Sequence, residues 1–112
     1  MQDPLRPKRC ARLLNALAAP DRLRIIRFLR DGPHNVTEIA RTLRVELVNV
    51  SHHVSVLRQA GIVRGRKEGR FVYYSLAPGM LQVDEDVEGK EYLDLGCCRL
   101  EVPCSPQPRN EG

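Results

Sequence analysis

A mainly α-helical fold carrying one β-hairpin is predicted by three observations. Apolar residues recur at helical spacing in four successive stretches between Pro7 and Gln59. Helix breakers, Pro20 and Gly32-Pro33, separate the first three of these. Beyond Gly61, which reads as the stop of the fourth, two β-rich runs flank Lys67-Glu68-Gly69 in the manner of a hairpin with a glycine at its turn.

Each element has a local reason. Pro7 suits the first turn of a helix, where its missing N–H costs nothing, and Leu13, Leu14 and Leu17 form that helix's apolar stripe, with Cys10 in its first turn. Pro20 restarts the chain as a second helix, in which Leu23, Ile25, Ile26 and Leu29 are apolar while Arg22, Arg24, Arg27 and Arg30 stay mostly outside. Asn35 with Glu38 three residues later is a capping box opening a third helix, whose Val36, Ile39, Ala40 and Leu43 face inward. Arg44-Val45-Glu46 turns into the fourth helix, Leu47 to Gln59, where Val50, Val54 and Leu57 share one face. Val48, His52, Ser55 and Gln59 lie across from them, with Asn49 and Ser51 on the flanks. In the hairpin, Ile62 to Arg66 and Arg70 to Leu76, Phe71 and Tyr73 point one way and Val72, Tyr74 and Leu76 the other, so one face is expected to cover the core.

Helix, glycine and basic hairpin in that order look like the second half of a winged helix-turn-helix. The wording is more specific. SHHVSVLRQAGIVRGRKEGRFVYYSL strongly resembles the ArsR/SmtB family of bacterial metal- and metalloid-responsive repressors, whose members typically show Ser-x-His-Leu-x-x-Leu-x-x-Ala-Gly-Leu-Val, an Arg-x-Gly-Arg wing and a Tyr-Tyr strand. Ala18-Ala19-Pro20-Asp21-Arg22-Leu23-Arg24-Ile25 resembles the family's second helix, and the likeness runs from about Leu13 to Leu76. It implies a homodimeric repressor on an inverted-repeat, double-stranded DNA operator. One departure is Glu46, where the family usually has Ser or Thr; a glutamate caps less well and brings negative charge near the phosphates.

Charge agrees with a polyanion partner. The chain's net +4 divides into 15 Lys or Arg against 6 Asp or Glu over residues 1–76, a balance of +9, and 3 against 8 over 77–112, a balance of −5. We therefore read residues 1–76 as a DNA-binding domain and 77–112 as an acidic, cysteine-containing tail for sensing and possible dimerisation. Val48, Asn49, Ser51, His52 and Ser55 are the candidate groove-facing residues: Asn49 can pair two-fold with an adenine edge, Ser51 and His52 offer single hydrogen bonds, and Val48 can pack on a thymine methyl. Arg64, Arg66, Lys67 and Arg70 on the hairpin are candidate phosphate contacts. The plainer alternative is a solvated helix face with an acidic tail. His53, beside Val50 on the helical wheel, is expected to be a partly buried, hydrogen-bonded structural residue.

No apolar run approaches the ~18 residues of a membrane span, and the N-terminus carries Arg6, Lys8 and Arg9 without an apolar signal core, so a cytoplasmic protein is expected. In that compartment structural disulfides are not expected for Cys10, Cys97, Cys98 and Cys104, and metal binding or redox chemistry moves forward. No acid/base constellation surrounds the cysteines, so an enzyme is not expected.

The tail shows none of the long amphipathic helix with which the family commonly dimerises. Ala77-Pro78-Gly79 breaks the chain, and Leu81, Val83 and Tyr92-Leu93-Asp94-Leu95 alternate as strands do, leaving dimerisation to the first helix, a tail strand or both. The family's third-helix thiolate site lacks cysteines here, and its zinc-type last-helix site lacks histidines, since His34, His52 and His53 all lie upstream. What remains is Cys97-Cys98-Arg99-Leu100-Glu101-Val102-Pro103-Cys104. Three thiolates form a soft set suited to thiophilic ions, and the cluster looks like the C-terminal cysteine sites of arsenic-responsive family members, which implies As(III) or Sb(III) as inducer. Cys97 and Cys104 would be ~10 Å apart along a helix, and Cys97 and Cys98 would oppose each other on a straight strand, so the segment must bend, with Gly96 and Pro103 able to bend it. Cys10 is not expected to be a ligand unless a dimer brings it near. Two rival readings are a thiol-redox-responsive repressor and a zinc-stapled protein-interaction module without operator binding.

Overall fold

The computed structural model describes residues 6–102. Four helices, α1 (Pro7–Leu17), α2 (Pro20–Leu29), α3 (Val36–Leu43) and α4 (Leu47–Gln59), precede the hairpin β1 (Val63–Glu68) and β2 (Phe71–Leu76). Prolines open α1 and α2. The capping box of α3 is complete: the Glu38 N–H donates to Asn35 Oδ1 at 2.8 Å, and the Asn35 N–H donates to Glu38 Oε1 at 3.1 Å. At the other end Arg24 Nη2 donates to the Leu43 carbonyl at 2.7 Å, satisfying one of the helix's unpaired acceptors. The turn into α4 passes through Arg44 at φ +58°, a left-handed conformation that any side chain adopts at a cost. Glu46 then serves as the N-cap of α4 without a side-chain hydrogen bond, as its chemistry foretells.

The wing differs in detail from expectation. Its strands reach to Glu68 and Phe71, which are paired, so the connection is the two-residue Gly69-Arg70 turn and not Lys67-Glu68-Gly69. Gly69 has φ +63° at the first central position, a conformation that favours glycine and lets a two-residue turn match the twist of both strands. Opposite Tyr74, Gly65 is required for space: a Cβ there would sit 2.9 Å from Tyr74 Cε1 and 3.0 Å from Val72 Cγ1. Tyr74 also pairs with His34 through two backbone hydrogen bonds of 3.0 and 2.8 Å, which fasten the segment before α3 to the wing.

The tail forms a second antiparallel sheet, β3 (Leu81–Val83), β4 (Glu91–Asp94) and β5 (Arg99–Val102), in the order β3-β4-β5. This agrees with the strand-like alternation. Leu93, Leu95 and Val102 are buried in the same cluster as Leu13, Leu17, Ile25, Ile26, Ile39, Val50, Val54, Leu57 and Ile62, so helices and tail share one core. An Arg30–Glu91 ion pair of 3.1 Å joins the end of α2 to β4. At ~25 cal/mol per Å2 of apolar surface, each such core side chain contributes about 1.5–3 kcal/mol on burial.

Candidate nucleic-acid interface and sulfur cluster

Helix α4 divides as its periodicity requires. Val50, Val54 and Leu57 are buried against the core, while Val48 is 70% exposed and Asn49, Ser51 and His52 are exposed beside it. Ser55 is half-buried and accepts a hydrogen bond from Gln59 Nε2 at 3.3 Å, making it the least available of the five groove-facing candidates. A 13-residue helix with one exposed face is about 20 Å long and about 10–12 Å across, the diameter a major groove admits.

Arg64, Arg66, Lys67 and Arg70 are all exposed on the wing. Register distributes them: Arg64 opposes Ser75 and Arg66 opposes Tyr73 on one face, whereas Lys67 opposes Val72 on the other. Arg66 is engaged with a wing carboxylate, its Nε 3.0 Å from Glu68 Oε2, so a phosphate must compete with Glu68 for it. Phe71 and Tyr73 lie together on the Arg66 face with ring centroids 6.4 Å apart.

His53 is held behind α4, as expected of a structural residue; its side chain is 17% exposed. Arg22 connects three helices here: Nε donates to the Ala16 carbonyl of α1 at 2.6 Å, and Nη1 meets His53 Nδ1 at 3.2 Å. Because the guanidinium can only donate, Nδ1 accepts and the imidazole is neutral with its proton on Nε2, 4.0 Å from Asp21 Oδ2. Burial first, then the Arg22 charge, lower the pKa below 6.5, with Asp21 opposing and His52 adding to the fall. The unfolded chain therefore binds this proton more readily than the folded one. The contribution to stability is complete above pH 6.5 and is lost as pH falls from there towards the folded-state pKa. Urea midpoints are expected to decline between pH 7.5 and 5, and His53→Gln to flatten that part of the profile; an unchanged slope in the variant would remove His53 as the cause.

The tail cysteines occupy the tight turn between β4 and β5. The Leu95 N–H donates to the Cys98 carbonyl at 3.0 Å, and Gly96, at φ +89°, makes the bend that a straight strand could not. Cys97 Sγ and Cys98 Sγ consequently lie 3.9 Å apart on one side of the chain. Cys104 lies outside the described residues. For Cys10 the expected absence of a disulfide is corrected, and its approach to the tail cysteines occurs within one chain. Cys10 is disulfide-bonded to Cys97 across a sequence separation of 87, and its sulfur forms a single cluster with those of Cys97 and Cys98, all within 4.8 Å of one another. The cause is tertiary: the tail sheet folds back so that its β4–β5 turn meets the first turn of α1. No signal in the sequence marks that approach.

Comparison with known proteins fits this geometry. Residues 17–66 match a helix-turn-helix domain family. The HTH-type transcriptional regulator NmtR of Mycobacterium tuberculosis is 42% identical over 88 residues, covering 77% of this chain and 73% of the relative. A homodimeric winged helix-turn-helix DNA-binding domain of Mycobacterium bovis, described as a possible ArsR-family transcriptional regulator, superposes with a TM-score of 0.61 at 34% identity, over 63% of this chain and 66% of the other. The chain belongs to the ArsR/SmtB family of winged helix-turn-helix transcriptional regulators. A further similar structure, a possible transcriptional regulator for arsenical resistance, has a TM-score of 0.55 and 37% identity over 60% of this chain and 69% of that one. The ArsR/SmtB family is one of DNA-binding regulators, and the relatives matched here are regulators of transcription. Among the described residues no helix is long and apolar enough to cross a membrane.

Proposed function

We propose that this regulator is a cytoplasmic, metalloid-responsive repressor that binds an inverted-repeat operator as a homodimer and leaves it when As(III) or Sb(III) is captured by the tail cysteines. Residues 1–76 act as the reading head and 77–112 as the sensor. The observation that carries the reading is the Cys97–Cys98 sulfur separation of 3.9 Å on a turn built into the tail sheet. Bonds of ~2.3 Å to a soft ion set sulfur–sulfur separations of roughly 3.8 Å in a tetrahedral site and less in a pyramidal one. Cys104 is the third thiolate expected from the sequence. Val48, Asn49, Ser51, His52 and Ser55 read base edges, and Arg64, Arg66, Lys67 and Arg70 hold phosphates.

A ligand releases DNA only by favouring a conformation that binds DNA less well. The tail is suited to transmit that preference, because Leu93, Leu95 and Val102 share a core with Val50, Val54 and Leu57 of α4. The Cys10–Cys97 bond favours a second reading, in which an oxidant closes this disulfide and releases DNA without a metalloid. Titrating labelled operator complex with arsenite, zinc and peroxide separates them. Release by arsenite from the reduced protein, abolished by Cys97→Ser with Cys98→Ser, is the expected result; release by peroxide alone would establish the redox reading, and release by zinc alone would refute the inducer assignment.

A further inference from the structure

We propose that the third thiolate of the soft-ion site is Cys10, so that Cys10, Cys97 and Cys98 hold one As(III) within a single protomer. This rests on the metalloid reading above and changes its ligand set. Cys10, 94% buried in α1, already has its sulfur against that of Cys97, and Cys98 completes a cluster in which every sulfur lies within 4.8 Å of the others. Three thiols on two separate elements can approach an ion from different directions. Two adjacent cysteines on one turn cannot do so alone. Cys10 also stands in the first turn of an 11-residue helix, where the helix dipole favours a thiolate.

The chemistry balances without an oxidation at arsenic. Arsenous acid loses three As–O bonds, three thiols lose their protons, three As–S bonds form and three waters leave. The Cys10–Cys97 disulfide supplies no thiols, so a two-electron reductant, a phosphine or a dithiol, must open it first. Oxidation and metalloid capture are then mutually exclusive uses of the same sulfurs, and the disulfide-bonded protein is blocked for the ion.

Capture would tie the β4–β5 turn to α1. That helix packs on both α2 and α4 through Leu13, Ala16 and Leu17, and its Ala16 carbonyl accepts from Arg22, which in turn reaches His53 of α4. A staple on Cys10 thus acts on an element that touches the reading helix directly.

The test uses the full chain, reduced with a phosphine and loaded with arsenite. Exposed thiols are alkylated and mapped by mass spectrometry, and As–S bonds are counted by X-ray absorption. The expected result is three As–S bonds with Cys10, Cys97 and Cys98 protected and Cys104 alkylated. Cys104→Ser should bind as the parent does, Cys10→Ser should fall to two As–S bonds with affinity lowered at least ~10-fold, and protein oxidised to the Cys10–Cys97 disulfide should not bind. Three As–S bonds with Cys104 protected beside Cys97 and Cys98 would overturn this assignment and leave the metalloid-responsive function intact. Absence of any As–S bond would overturn both. Because burial alone shields Cys10, the bond count and Cys104 decide the matter even where a Cys10 variant folds poorly: three As–S bonds with Cys104 alkylated leave Cys10 as the third ligand.

Discussion

Replacing Arg64, Arg66 and Lys67 together with alanine is expected to weaken binding to duplex DNA by on the order of 1000-fold at 0.1 M salt and to flatten its salt dependence. The three side chains are exposed on a hairpin whose backbone is pinned at one end by the His34–Tyr74 pairing and at the other by a two-residue turn. They are thus presented on a stiff ribbon, and their loss should leave the fold unaltered. Each phosphate neutralised adds a slope of about −0.9 to the logarithmic salt plot, so removing three contacts per protomer from a dimer should reduce the slope by about 5. Glu68→Gln is the opposing variant: it frees Arg66 from its carboxylate and removes a charge repelled by DNA, so binding should tighten several-fold. A triple variant with an unchanged salt slope would show that the wing does not touch the backbone of the duplex.

Leu93→Ala is expected to cost about 2–5 kcal/mol and to lower the melting temperature by on the order of 10 °C or more. Leu93 lies on the central strand of the tail sheet, fully buried, in the cluster that contains the apolar stripes of α1, α2 and α4. Truncating it opens a cavity at the seam between the tail sheet and the helices. Leu100, on the edge strand β5 and 37% exposed, is the internal control; alanine there should cost about 1 kcal/mol or less. Equal effects at the two positions, as judged by urea denaturation, would mean that the tail sheet does not share the helical core. The comparison bears on signalling as well as stability, since a tail packed into the core can bias α4, whereas an appended one cannot.

The helices and the wing were legible because their determinants are local. Val50, Val54 and Leu57 reveal the buried face of α4 by spacing alone, Asn35 and Glu38 close a hydrogen-bonded box within four residues, and Gly61 and Gly69 mark the helix stop and the hairpin. The resemblance to the family added the identity of that pattern, which spacing could not supply. The wing turn starts two residues and ends one residue later than the spacing suggests, since a glycine among charged residues allows more than one hairpin register and only the cross-strand pairing selects one. For the tail, the alternation of Leu81, Val83, Leu93 and Leu95 indicated strands but not what they would pack against.

By itself, then, the sequence determined the four helices, the basic hairpin, the exposed reading face and the crowding of two cysteines beside a glycine. Tertiary structure alone decided that the tail sheet enters the helical core and that Cys10 meets Cys97 across 87 residues. The physical reason is one of range. Periodicity, caps and turn residues report on neighbours within a few positions, whereas the meeting of two distant segments is selected by how the whole apolar surface can be buried at once.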